Sequence, residues 1–237
     1  MKAVLFDVDH TLYDRDATFL AWARWFVRER LGLTEESVHS RAVDLLVTMD
    51  ASGYRPRREL FRWIKERYPF IEAAVEDLVA DFYRQHVSYL SLEVDTRLLL
   101  DSLATARIPF GVVTNGSANQ LLKIRELGLD TRTSCIHISA LAGCRKPEPA
   151  IFLAASDELG VAPSDTLFVG DNPEADIMGA AGVGMRTAWL RRQREWPDRL
   201  GTILPDYSIN SLSELLWITK SKPPTQYAPQ HIGRCQC

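Results

Sequence analysis

The chain opens on a short apolar run from Lys2 to Phe6, in which Lys2 is the only charged member, and the run stops at the acids Asp7 and Asp9. A continuous apolar stretch of this length is the pattern of a strand buried on both faces. From about Ala17 to Leu90 the texture is helical. Phe19, Leu20, Ala23, Phe26 and Val27 recur at the spacing of one helix face, and Leu31-Gly32 closes that helix. Thr34 is expected to cap a second helix, with Glu35 and Glu36 complementing its dipole and Val38, Ala42, Leu45, Leu46 and Met49 as its stripe. Pro56 opens a third, carrying Leu60, Phe61 and Ile64 and ending at Pro69. A fourth carries Val75, Leu78, Val79, Phe82 and Val87.

After Asp95 the period switches again. Helical stretches ending at Ala106, Leu127-Gly128 and Leu159-Gly160 alternate with strand-like runs at Pro109 to Val113, Cys135 to Ile138 and Thr166 to Val169. Ser117 is expected to cap the second of these helices, and Pro149 opens the third. A helix from about Pro173 to Ala181 follows, then a strand from Met185 to Leu190 and a short one from Tyr207 to Ile209. Ser211 and Glu214 have the capping-box spacing of a final helix. Strands alternating with helices imply a parallel sheet covered on both faces. The fold class is therefore α/β, a Rossmann-like parallel sheet core with an inserted all-helical cap domain. The core is read at residues 1–14 and 95–220, the cap at 15–94, and a polar, Pro- and Gln-containing tail at 221–237.

Composition narrows the function. Of the 237 residues 46% are hydrophobic, ample for a buried core, and a formal net charge of -3 argues against a nucleic-acid polymer or an anionic membrane as partner. No apolar run reaches the roughly 18 residues that span a bilayer, and the opening run is too short for a signal peptide. The cytoplasm is the expected compartment. Cys135, Cys144, Cys235 and Cys237 then read as reduced thiols rather than a disulfide framework, and the terminal Cys-Gln-Cys is an incomplete metal site. Nothing in the pattern chooses between a monomer and a homodimer.

Four short signals sit just past the C-terminal ends of four expected strands, the edge where ligands bind in open α/β sheets. They are Asp7-Val8-Asp9-His10-Thr11, then Thr114-Asn115-Gly116, then Lys146-Pro147, then Gly170-Asp171-Asn172 with Asp176 beyond. Each alone reads as an ordinary turn or helix cap. Asp7, Asp9 and Asp171 would converge, and converging carboxylates repel unless a cation sits among them. Magnesium suits, because it takes oxygen ligands and bridges to phosphate.

In order and spacing the four signals resemble the four motifs of the haloacid dehalogenase superfamily, and the resemblance covers nearly the whole chain, including a helical cap directly after the first motif. It implies a Mg2+-dependent phosphatase of a small phosphorylated metabolite, of the sugar phosphate, nucleotide or phosphoglycolate type. Asp7 would be nucleophile and metal ligand, passing through an aspartyl-phosphate. Asp9 would give its backbone carbonyl to the metal, while its side chain serves as acid and then base. Thr114 and the N–H groups of Asn115 and Gly116 would bind phosphoryl oxygens. Lys146 would orient Asp7 and stabilise the transferring group, and Asp171 would be the third metal ligand. Thr11 and Asp176 would support these groups, Asp176 by pairing with Lys146. The alternatives are a 2-haloacid dehalogenase, against which Asp9 speaks because an ester intermediate with a halide leaving group needs no proton donor there, and a catalytically silent binding protein of the same fold.

His10 stands where the family most often has glycine, and is read as a solvent-facing loop residue unless it meets substrate at the entrance. In the cap, Tyr54-Arg55-Pro56-Arg57-Arg58 reads as a solvated helix start, or else as an anion contact through Arg55, Arg57 and Arg58. Trp22, Trp25 and Trp63 read as cap core before any stacking platform.

Overall fold

The computed structural model describes residues 1–192, 194–201 and 204–220, so the tail and the Cys-Gln-Cys motif lie outside the described residues. In chain order, β1 (Ala3–Phe6) leads into α1 (Arg15–Glu29), α2 (Glu36–Asp50), α3 (Arg57–Arg67) and α4 (Val75–His86). There follow α5 (Val94–Thr105), β2 (Phe110–Thr114), α6 (Gln120–Glu126), β3 (Ile136–Ile138), α7 (Ser139–Ala142), α8 (Pro149–Glu158) and β4 (Thr166–Gly170). The chain closes through α9 (Gly179–Gly182), β5 (Arg186–Leu190), β6 (Tyr207–Ile209) and a 3₁₀ segment, Leu212–Thr219. None of the described helices is long and apolar enough to cross a membrane.

Two compact units result. One holds Met1–Tyr13, Leu92–Gln120 and the described residues from Gly128 onward; the other holds Asp14–Ser91 and Leu121–Leu127.

In the first unit six strands form one sheet in the order β3-β2-β1-β4-β5-β6, every pair parallel. This is the α/β fold expected. The central strand β1 is buried at all four positions, which is why it carries no polar side chain. The chain builds outward from β1 in one direction through β2 and β3, and in the other through β4 to β6. The C-terminal edge at β1 is therefore the point where strand order reverses and loops part to leave a crevice. Leu5, Val113 and Phe168 present one sheet face to Ile151, Phe152 and Ala155 of α8 and Ala180 of α9. Cys135 joins that cluster as a core thiol, and both Cys135 and Cys144 are free. Ser211 and Glu214 form the capping box that opens the last segment, although its turns are 3₁₀ rather than α.

The second unit is helical, with one core built from Phe19, Trp22, Ala23, Phe26 and Val27 of α1, Ala42, Val43 and Leu46 of α2, Leu60, Phe61 and Ile64 of α3, and Leu78 and Phe82 of α4. Trp22 is its largest buried side chain, stacked on Phe26 at 4.9 Å and edge-on to Phe82 at 4.8 Å between ring centroids, so it is core and not a platform. Asp50 is buried between the guanidinium groups of Arg15 and Arg57 and also accepts from the Gly53 N–H at 3.0 Å. Arg57 lies over the Phe82 ring at 4.6 Å, and Arg58 pairs with exposed Glu76 at 3.3 Å. Arg57 thus serves this unit's own packing.

Some expectations shift. Glu35, not Thr34, caps α2, because its carboxylate reaches the Ser37 N–H at 3.1 Å. The helix after β2 starts at Gln120, three residues beyond Ser117. The stretch from Pro173 to Met178 winds as a π-helical turn before α9, and α7 was not foreshadowed by any periodicity.

Candidate active site at the carboxyl edge of the sheet

Asp7 is the first residue past β1, and its N–H continues the ladder to the Val169 carbonyl at 2.9 Å. Its side chain is buried. Lys146 Nζ donates to Asp7 Oδ1 at 2.6 Å, and Thr11 Oγ1 donates to Oδ2 at 3.2 Å. Thr11 can reach back because the chain turns tightly, with the Thr11 and Leu12 N–H groups both bonded to the Val8 carbonyl. That turn needs a left-handed residue, and His10 supplies it at φ 61°. This explains the position's usual glycine, and histidine is among the side chains that tolerate the conformation. His10 is half-buried, and its carbonyl accepts from Arg192 Nε at 2.8 Å.

Lys146 is 2% exposed. Besides Asp7 it meets Asp176 Oδ1 at 2.7 Å in a second buried ion pair. Asn115 holds the lysine's backbone from both sides: Asn115 Nδ2 donates to the Lys146 carbonyl and the Lys146 N–H donates to Asn115 Oδ1, each at 2.9 Å. The asparagine side chain thus anchors the loop that carries the lysine. Thr114 ends β2, buried. The Gly116 N–H, expected to meet phosphate, donates to Ser139 Oγ at 3.0 Å. The Thr114 hydroxyl and the Asn115 N–H are the other groups of this loop expected to meet an anion.

Asp171 follows β4. Its carbonyl accepts from Trp189 Nε1 at 2.9 Å and Arg194 Nη2 at 3.0 Å, and its Oδ2 from Arg194 Nη2 at 3.1 Å. Asp176 sits in the π-helical turn, where Oδ2 accepts the Asn172 N–H at 2.9 Å. A side chain at Gly170 would overlap the Asp176 carboxylate, so the glycine lets that acid lie against the strand end.

Carboxylate oxygens of Asp7, Asp171 and Asp176 lie within 4.8 Å of one another. Burial pushes the Asp7 carboxyl up to about 6, against the pull of Lys146 and helped by the charge of Asp176. Burial likewise raises Asp171, with Asp7 adding, and raises Asp176 despite Lys146. On Lys146 burial works toward a lower value, but Asp176 and Asp7 outweigh it and the ammonium is held charged. Three acids face the buried Lys146 ammonium and, at Asp171, the partly exposed Arg194 guanidinium, which leaves one negative charge in excess and only hard oxygen donors around it. That donor set fits a hard divalent cation such as magnesium, which would relieve the field that raises the acids.

The Asp9 carboxylate is held by donors of its own. Its Oδ1 accepts from the Tyr13 hydroxyl and its Oδ2 from Gln120 Nε2 at 2.6 Å. Sequence reasoning missed Gln120, Tyr13, Ser139 and Arg194. Tyr13 stands four residues past Asp9, but nothing in hydrophobic periodicity marks Gln120.

Residues 1–184 match the family model described as haloacid dehalogenase-like hydrolase. The glyceraldehyde 3-phosphate phosphatase of Methanopyrus kandleri is 30% identical over 230 residues, covering 93% of this chain and 97% of its own length. The phosphoserine phosphatase of Thermus thermophilus is 28% identical over 202 residues, covering 85% and 79%. Among solved structures, a HAD phosphatase from Thermococcus onnurineus is similar with a TM-score of 0.62 at 27% identity, over 94% of this chain and 100% of that one.

Proposed function

Because the chain belongs to the haloacid dehalogenase-like hydrolases, we propose that it is a magnesium-dependent phosphatase of a small phosphorylated metabolite, working through an aspartyl-phosphate on Asp7. The observation that carries this reading is the buried Lys146 ammonium shared between Asp7 and Asp176, with Asp171 beside them and Asp9 held by donors of its own.

The roles follow from chemistry. Asp7 attacks phosphorus, and Lys146 fixes its carboxylate while balancing charge on the transferring group. Asp176 holds Lys146 in place. The Thr114 hydroxyl and Asn115 N–H bind phosphoryl oxygens. Asp9 gives a proton to the departing alcohol oxygen and later takes one from the water that hydrolyses the aspartyl ester. Asp7, Asp171 and the Asp9 carbonyl would hold magnesium, with Asp176 close by; the ion supplies the charge neutralisation that lets an anionic carboxylate meet an anionic phosphoryl group. A dehalogenase would have no use for Asp9.

The test is phosphate release from a generic aryl phosphate with magnesium present. Wild type turns over and chelation stops it, while Asp7→Asn folds but releases nothing above background. Unchanged turnover in Asp7→Asn removes the nucleophile, and halide release from a haloacid without magnesium replaces the reading altogether.

A further inference from the structure

We propose that Gln120 is a positioning residue for Asp9, holding its carboxylate in the orientation from which it protonates the leaving oxygen. This rests on the phosphatase reading above and deepens it.

Gln120 is the first residue of α6, a place where a glutamine is ordinarily solvated, yet it is 6% exposed. Its Nε2 lies 2.6 Å from Asp9 Oδ2, 3.4 Å from Thr114 Oγ1 and 3.3 Å from the Asn115 carbonyl. The group facing a carboxylate at that distance must be the NH2, since the amide oxygen there would set two acceptors against each other. The amide oxygen is therefore turned away, where it is buried without a hydrogen-bond partner among the described residues. Folding alone does not favour a buried unpaired acceptor. The side chain is kept for its N–H.

Gly116 makes the placement feasible. A Cβ there would fall 2.7 Å from Gln120 Cγ and 2.9 Å from Nε2, so the glycine of the Thr-Asn-Gly loop clears the path by which Gln120 reaches Asp9. The Tyr13 hydroxyl donates to the other oxygen, Oδ1. A donor on each oxygen fixes the plane of the carboxylate. As an Asp7 oxygen bonds to phosphorus, the ester P–O bond breaks and its electron pair takes the proton from Asp9. Asp9 is left as a carboxylate between two donors already in place.

The role has a signature that a purely structural one lacks. An alkoxide must be protonated as it leaves, whereas 4-nitrophenolate needs little help. Gln120→Met keeps length and volume but removes the N–H. Its kcat/KM should fall for both a simple alkyl phosphate and 4-nitrophenyl phosphate, with the alkyl ester losing about tenfold or more beyond the aryl ester. Tyr13→Phe, which removes only the hydroxyl on Asp9 Oδ1, should show the same leaving-group selectivity and guards against a folding defect in Gln120→Met, checked by thermal melting. Equal losses on the two esters in both variants, or no loss in either, overturns the positioning role. Failure of the phosphatase reading looks different: the wild-type protein with magnesium would then release phosphate from neither ester.

Discussion

At the residue scale the site is dominated by one ammonium among buried acids. Lys146 and its two partners are each nearly inaccessible, with side-chain exposures of 2%, 9% and 1% for Lys146, Asp7 and Asp176. Removing one member of such a set leaves charge stranded in a poorly solvated place, and buried pairs broken in this way cost about 3–5 kcal/mol. Lys146→Met should therefore lower stability by that order at neutral pH in chelated protein, read by urea denaturation, and abolish turnover. The loss should shrink toward pH 5, because the stranded acids can protonate. A pH-independent loss would mean that packing of the lysine stem, not charge, sets the effect.

At the element scale two features set the geometry. The segment after β4 winds first as a π-helical turn carrying Asp176 and then as α9, and at Gly179 it passes close to the lysine loop. A Cβ at Gly179 would lie 2.7 Å from the Phe152 ring and 2.9 Å from the Pro147 Cα, next in sequence to Lys146. Gly179→Ala should cost about 1–3 kcal/mol by overpacking and reduce kcat, since the loop must shift to accept the methyl; full activity would show that the loop yields without moving Lys146. In the helical unit, Asp50 ties Arg15 of α1 to Arg57 of α3. Asp50→Ala should cost about 3–5 kcal/mol, and in a calorimetric scan the loss should appear in the transition of that unit.

At the scale of the whole molecule, Asp7 in the sheet unit and Asp50 in the helical unit contribute to stability with opposite dependence on pH. The folded Asp7 carboxyl sits at about 6 against an ordinary 3.8. A fold that prefers the neutral acid is stabilised below 3.8 and loses that stabilisation as pH rises through about 6. Asp50 is the reverse. Burial pushes its value up, but Arg15 and Arg57 more than offset this and hold it below 3.8, so its contribution is present above 3.8 and fades as pH falls through the depressed value. Chelated protein should accordingly have its sheet unit weakened above about pH 6 and its helical unit weakened in acid. Magnesium has most to relieve where the acids are ionised, so its upward shift of melting temperature should be larger at about pH 7.5 than at about pH 5. Equal shifts at both would place the metal away from these acids.

Local pattern determined much of this protein. A buried strand must be continuously apolar, so β1 and its neighbours were legible, and a parallel sheet must place its polar strand ends on one edge, so Asp7, Thr114 and Asp171 could be gathered there before any coordinates. Amphipathic spacing likewise revealed the helices around Trp22 and Phe61. Tertiary structure decided what periodicity cannot encode. The Gly116 N–H went to Ser139, 23 residues away, and Gln120 turned inward 111 residues along the chain from Asp9. Arg57 pairs with a buried acid, Asp50, and His10 was placed in a left-handed turn. Each is a side-chain or dihedral choice set by what happens to lie opposite in space, and a polar residue's own neighbours in sequence carry no record of that.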